Sequence, residues 1–156
     1  QIHFDKRIKN ATRLENESKR VESIKDIMNL ESTKVSVAKS TKEVFDFLTH
    51  LENFEQLMPE GTQKFETDGS SFLFALKGMP EIRLVLKEKT EYSNITLGAA
   101  SSKLAFTLSG DITEVSDNES QVQLFFNGDF NPMMAMMVKK PLGKFIETLV
   151  DNISKI

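Results

Sequence analysis

The chain of 156 residues contains no cysteine. That absence excludes disulfide scaffolds, thiolate zinc centres and thiol nucleophiles, and it agrees with a reducing cytoplasm, the compartment expected here. Tryptophan is also missing, tyrosine occurs once (Tyr92) and histidine twice (His3 and His50). One imidazole without thiolate partners makes no zinc site, so His50 reads as a helix-end residue favoured by the C-terminal dipole. After residue 30 a single arginine remains, Arg83. No apolar run approaches the roughly 18 residues of a membrane span, and the opening QIHFDKRIKN lacks the apolar stretch of a signal peptide, so a soluble protein is expected. The formal charge of −3 supplies no basic field for nucleic acid. Nucleophile elbows, phosphate loops and dinucleotide fingerprints are absent; no catalytic residue, metal or cofactor is expected.

What is present is organised in two parts. Residues 1–30 hold seven Lys/Arg against five Asp/Glu, and residues 31–156 hold thirteen against eighteen. Within the first part Leu14, Val21, Ile24 and Met28 recur at helical spacing and Glu15 pairs with Lys19 four positions on, which predicts a helix over 11–29. Its apolar stripe is thin, so an arm lying on its own domain is the plain reading and a homodimer formed through it the sharper one. The chain starts at Gln1, and an internal start at Met28 is an open alternative. No linker divides residues 31–156, which read as one domain.

That domain alternates like a sheet protein. Glu31–Ala38 reads as a first strand around Val35 and Val37. Ser40-Thr41-Lys42-Glu43 is a capping box that opens a helix bearing Val44, Phe45, Phe47, Leu48 and Leu51, and a second short helix carries Phe54, Leu57 and Met58. Six further strands are expected over 62–67, 71–77, 82–90, 94–99, 103–114 and 120–130, divided by turns rich in Gly, Ser, Asn and Asp. Alternation puts Phe72, Phe74, Leu76, Ile82, Leu84, Leu86, Ile95, Leu97, Leu104, Phe106, Leu108, Ile112, Val122, Leu124 and Phe126 on one face. Glu88 shares that inward parity, where it could orient a ligand, but at the sheet's end it is expected to reach solvent; Arg83 has outward parity.

A terminal helix follows, capped by Asn131 with Pro132 in the first helical position. Pro141, ten residues in, removes one backbone bond and predicts a kink or break between 138 and 143. Leu142, Phe145, Ile146, Leu149, Val150 and Ile153 stripe the remainder. Met133, Met134, Met136 and Met137 stand at consecutive angles of about 100° and cannot all face a core; core filling, a ligand lid and membrane contact each account for the excess.

The order of one strand, two short helices, six strands and a long helix, with Leu48-Thr49-His50-Leu51-Glu52-Asn53-Phe54 leading to Leu57-Met58-Pro59-Glu60-Gly61, resembles the START-like, polyketide-cyclase-like helix-grip superfamily over residues 31–156. Within it, the passage into Met58-Pro59-Glu60-Gly61 and the positions of Gly110 and Gly128 are similar to the carbon monoxide dehydrogenase G type. The resemblance implies an α+β fold, a seven-stranded antiparallel sheet wrapped around a long C-terminal helix, and an apolar cavity for lipids, quinones or polyketide-like molecules.

The expected lining comes from the helices (Leu48, Phe54, Leu57), the strands (Phe72, Phe74, Leu84, Leu86, Leu97, Phe106, Leu108, Leu124, Phe126) and the terminal helix (Met134, Met137, Val138, Phe145). Three functions remain open on these residues: non-enzymatic carriage of a small hydrophobic molecule, a cyclase/dehydratase-like enzyme, and a protein-interaction module with a filled core. Carriage accounts best for an inward face with almost no polar group; membrane contact is expected to be peripheral at most.

Overall fold

A computed structural model describes residues 26–100 and 105–156. The elements are β1 (Asp26–Glu31), β2 (Val35–Val37), α1 (Thr41–Thr49), a 3-10 segment (Leu51–Leu57), β3 (Lys64–Thr67), β4 (Ser71–Ala75), β5 (Ile82–Thr90), β6 (Asn94–Ala99), β7 (Ala105–Ser116), β8 (Glu119–Phe130) and α2 (Pro132–Ile153). All strand pairs are antiparallel, in the order β1-β8-β7-β6-β5-β4-β3, and β2 also pairs with β8. One sheet, two short helical segments on its inner face and one long helix make the expected α+β helix-grip arrangement.

The sheet has eight strands where seven are expected, because the first strand is interrupted. Ser32 breaks the ladder. Its amide donates to the Leu124 carbonyl at 2.9 Å, its hydroxyl accepts from the Leu124 amide at 2.9 Å, and its own carbonyl takes the Gln123 side chain at 2.9 Å. A side-chain oxygen thus replaces a backbone one, and β1 and β2 reach β8 at separate places, around Phe125–Phe130 and Ser120–Val122. β1 also begins at Asp26, inside the part that the charge shift assigns to the arm. Its Met28 is buried and Leu30 half-buried with exposed Asn29 between them, a period of two that overrides helical spacing for residues 26–29. The rest of the predicted helix, and any dimer built on it, lies outside the described residues.

Local signals account for the helix starts. The Ser40 hydroxyl accepts from the Glu43 amide at 3.1 Å and the Glu43 carboxylate from the Ser40 amide at 3.2 Å. The Ser40 amide, and next the Ser40 hydroxyl at 3.2 Å, hold the Glu43 carboxyl below its usual range. Asn131 accepts from the Met134 amide at 2.8 Å and opens α2, with Pro132 at its first position. Of the kink or break expected at Pro141, the break does not occur, since α2 is continuous from Pro132 to Ile153. Proline forfeits one bond, while Val138 and Leu142 on either side are each buried and hold both halves against the sheet.

Most of the inner face follows the alternation. Phe72, Phe74, Ile82, Leu84, Ile95, Leu97, Phe106, Leu108, Ile112, Val122, Leu124 and Phe126 are all buried. Glu88 departs from it. The β5–β6 register slips between Leu86 and Glu88, so Leu86 stands opposite Leu97 but Glu88 opposite Thr96, on the wet face, where it is exposed. Leu104 lies outside the described residues. Gly128, opposite Phe106, is required by close approach: a Cβ there would stand 2.8 Å from the Phe130 ring and 2.9 Å from the Phe106 Cβ.

Candidate ligand-binding site

The interior is built from aromatic rings set by alternate strand positions. Phe54 on the 3-10 segment stacks on Phe72 at 4.9 Å, Phe72 neighbours Phe74 at 5.9 Å, and Phe74 stacks on Phe145 of α2 at 4.8 Å. This column crosses the molecule from helix to sheet to helix. A second group, Phe106, Phe126 and Phe130, gathers over Gly128 with centroids 5.4 and 6.4 Å apart. Offset stacking adds to area burial in both groups and fixes the rings in register.

Of the sixteen side chains expected to line a cavity, thirteen (Leu48, Phe54, Leu57, Phe72, Phe74, Leu84, Leu97, Phe106, Leu108, Leu124, Phe126, Val138 and Phe145) are buried in one cluster, and Leu86 and Met134 are half-buried against it. Met137 is not with them; it points away from the sheet at 59% exposure, because Val138 and Ala135 take the inward angles of that turn. Leu48, Phe54, Leu97, Leu108 and Leu124 surround a void of about 10 Å³ together with Ile95, Ser109 and Gly110. That is room for about one water molecule.

The larger space lies at the end of the aromatic column. A cleft of about 230 Å³ opens between the Pro59–Thr62 turn, Leu76 and Lys77 just beyond β4, and Pro141, Lys144, Phe145 and Thr148 of α2. Pro59, Leu76, Pro141 and Phe145 give it apolar walls, and Glu60, Lys77 and Lys144 bring charge to it. Sequence reasoning found only Phe145 here. The other residues come from a turn and one side of a helix, separated by about eighty positions, and no periodicity joins them. The outer face carries a polar groove of about 130 Å³ lined by Lys34, Asp111, Thr113, Gln121, Val122 and Gln123.

Titratable groups stay at the surface. His50 ends α1, its Nδ1 2.7 Å from the Asp46 carbonyl, and is exposed. Exposed Arg83 donates to the Ser71 hydroxyl at 2.6 Å, which tethers β5 to the β3–β4 turn. Tyr92 sits edge-on to Phe45 at 5.4 Å, and its hydrogen bond with Glu91 raises its phenol above the ordinary value. In the β3–β4 turn Asp68 accepts from the Ser71 and Ser70 amides at 2.8 and 3.0 Å, which lower its carboxyl to about 2. The buried polar side chains among the described residues are Ser32, Ser71 and Ser120, each hydrogen-bonded. Inside the sheet, then, the described side chains offer shape and apolar surface rather than proton transfer. Among them no group of three or more His, Asp or Glu side chains stands ready for a metal ion, and no helix is long and apolar enough to cross a membrane.

No family profile and no curated protein matches the chain. Solved structures do match in fold. A START superfamily protein from Mycobacterium smegmatis aligns with a TM-score of 0.60 at 15% identity, over 83% of this chain and 94% of that one. Norcoclaurine synthase from Thalictrum flavum aligns at 0.63 and 12% identity, over 84% and 94%. The protein XoxI from Bacillus cereus aligns at 0.62 and 10%, over 83% and 93%. The fold is therefore that of START-like proteins; the finer likeness to the carbon monoxide dehydrogenase G type is not confirmed by these structures.

Proposed function

We propose that the protein binds a small, largely apolar molecule between the inner face of the sheet and α2, admitted through the cleft at Pro59, Pro141 and Phe145, without covalent chemistry. The observation that carries this reading is the continuity of that cleft with the aromatic column: Phe145 both lines the cleft and stacks on Phe74. Relatives in fold include both a START superfamily protein and a synthase, so the choice against catalysis rests on this chain's own interior, where the described polar side chains are three bonded serines.

Magnitudes decide how the guest sits. Contact with the cleft alone, burying about 200 Å² of apolar surface, gains about 5 kcal/mol, which barely exceeds an association cost of about 4 kcal/mol or more. Micromolar retention needs about 8 kcal/mol net, so the guest extends past Phe145 and parts α2 from the 3-10 segment. The test uses Nile red with the wild type and with Thr148→Trp, which fills the cleft from a half-buried position. Saturable uptake by the wild type, weakened at least about tenfold in the variant at unchanged melting temperature, is the expected result. Equal uptake by both proteins, or none by either, rejects the reading.

A second reading, an interaction module with a filled core, draws on the void of about 10 Å³ and on the exposure of Met133, Met136 and Met137. Absence of Nile red uptake together with a stable complex captured through those methionines favours it.

A further inference from the structure

Independently of any guest, the outward side of α2 has a composition of its own. At about 100° per residue, Met133, Met136, Met137, Lys140 and Lys144 share one face, opposite the buried Val138, Leu142 and Leu149. The three methionines are 74%, 83% and 59% exposed, the largest exposures among the big apolar side chains described. Exposed Lys139 lies on the flank of that face, about 100° round from Lys140, and no acidic residue occurs in α2 before Glu147. A chain of net charge −3 thus gathers three lysines and three bare methionines along about 17 Å of one helix.

We propose that this face seats the protein on an anionic lipid bilayer, with the methionines entering the headgroup boundary and the lysines lying against lipid phosphates. Apolar side chains at one end of a helix face and cations along the rest is the composition of an interfacial helix. Charge argues against a second copy on the same face, since a two-fold axis would set lysines against lysines. Residues 1–25 carry seven Lys/Arg against four Asp/Glu and are a poor electrostatic match as well. The cleft shares Pro141 and Lys144 with this helix, so docking would open it beside the lipid surface.

Sedimentation of the full chain with vesicles tests this. Binding is expected to vesicles containing about one-third phosphatidylglycerol, to be weak with pure phosphatidylcholine, and to fall as salt rises from about 0.1 to about 0.5 M. Each lysine changed to glutamine should weaken binding about fivefold, and K139Q/K140Q/K144Q together about a hundredfold. M133S/M136S/M137S should lose at least about tenfold at an unchanged circular dichroism melt. Peroxide should oxidise the three methionines readily in the vesicle-free protein and slowly in the vesicle-bound one. The proposal is overturned if lipid charge makes no difference, if the methionine variant binds as wild type does, or if the methionines are already protected without vesicles. Protection of that kind would mean that residues 1–25, a second copy or a protein partner covers them.

Discussion

The two halves of α2 obey different rules although they form one unbroken helix. In the C-terminal half Leu142, Phe145, Ile146, Leu149, Val150 and Ile153 are each at most 1% exposed, which makes that half part of the core. In the N-terminal half only Ala135 and Val138 are buried, and three of four methionines face outward. Continuity of secondary structure is therefore no guide to continuity of role. Half of this helix holds the fold together, and the other half is free to present side chains.

Substitutions should separate the halves by size of effect. Phe145→Ala removes a ring from the stack on Phe74 and should cost about 3–5 kcal/mol in urea unfolding; a loss below about 1 kcal/mol would erase the distinction. Pro141→Ala, at the junction, should raise stability by about 1–2 kcal/mol, less than the ~3 kcal/mol intrinsic penalty because the half-buried ring also walls the cleft. Asn131→Ala deletes the cap of the free half and should cost about 1 kcal/mol, with faster amide exchange confined to residues 132–137. Met136→Ser should stay within about 0.5 kcal/mol of wild type by the same urea assay. The smallest effect lies outside the helix. Because its folded carboxyl is lowered to about 2, Asp68 contributes stability that is present above the ordinary value near 3.8 and lost as pH falls through about 2. Asp68→Asn should flatten the acid limb of the urea midpoint against pH in that window while leaving both halves of α2 unaffected.

Where one residue's chemistry sufficed, the chain was readable. The Ser40–Glu43 box, the Asn131 cap and the alternation of β8 are each carried by neighbours in sequence, and each stands in the structure as read. Readings that needed a distant partner went astray. The split between β1 and β2, for one, depends on Ser32 meeting Leu124. A break at Pro141 is one of two outcomes read from its local cost, and the burial that keeps the helix continuous is supplied by the sheet. The inward face was legible as a set of apolar positions, but the meeting of its rings was not. Volume is a property of rings meeting across elements, such as Phe54 on Phe72, and alternation says nothing of how far they interdigitate.

Two hydrogen bonds near the core half of α2 carry a mechanical consequence. Glu147 accepts from the Thr33 amide at 2.8 Å, and the Asn152 side chain donates to the Leu57 carbonyl at 2.9 Å. They grip the helix from both flanks, one toward the β1–β2 junction and one toward the 3-10 segment. The arm from Leu149 to Met133 is about 24 Å long, and a tilt of about 10° around that fulcrum swings its far tip by about 4 Å. Motion that scarcely disturbs Leu149 would then carry Met133 through about three-quarters of a turn's rise.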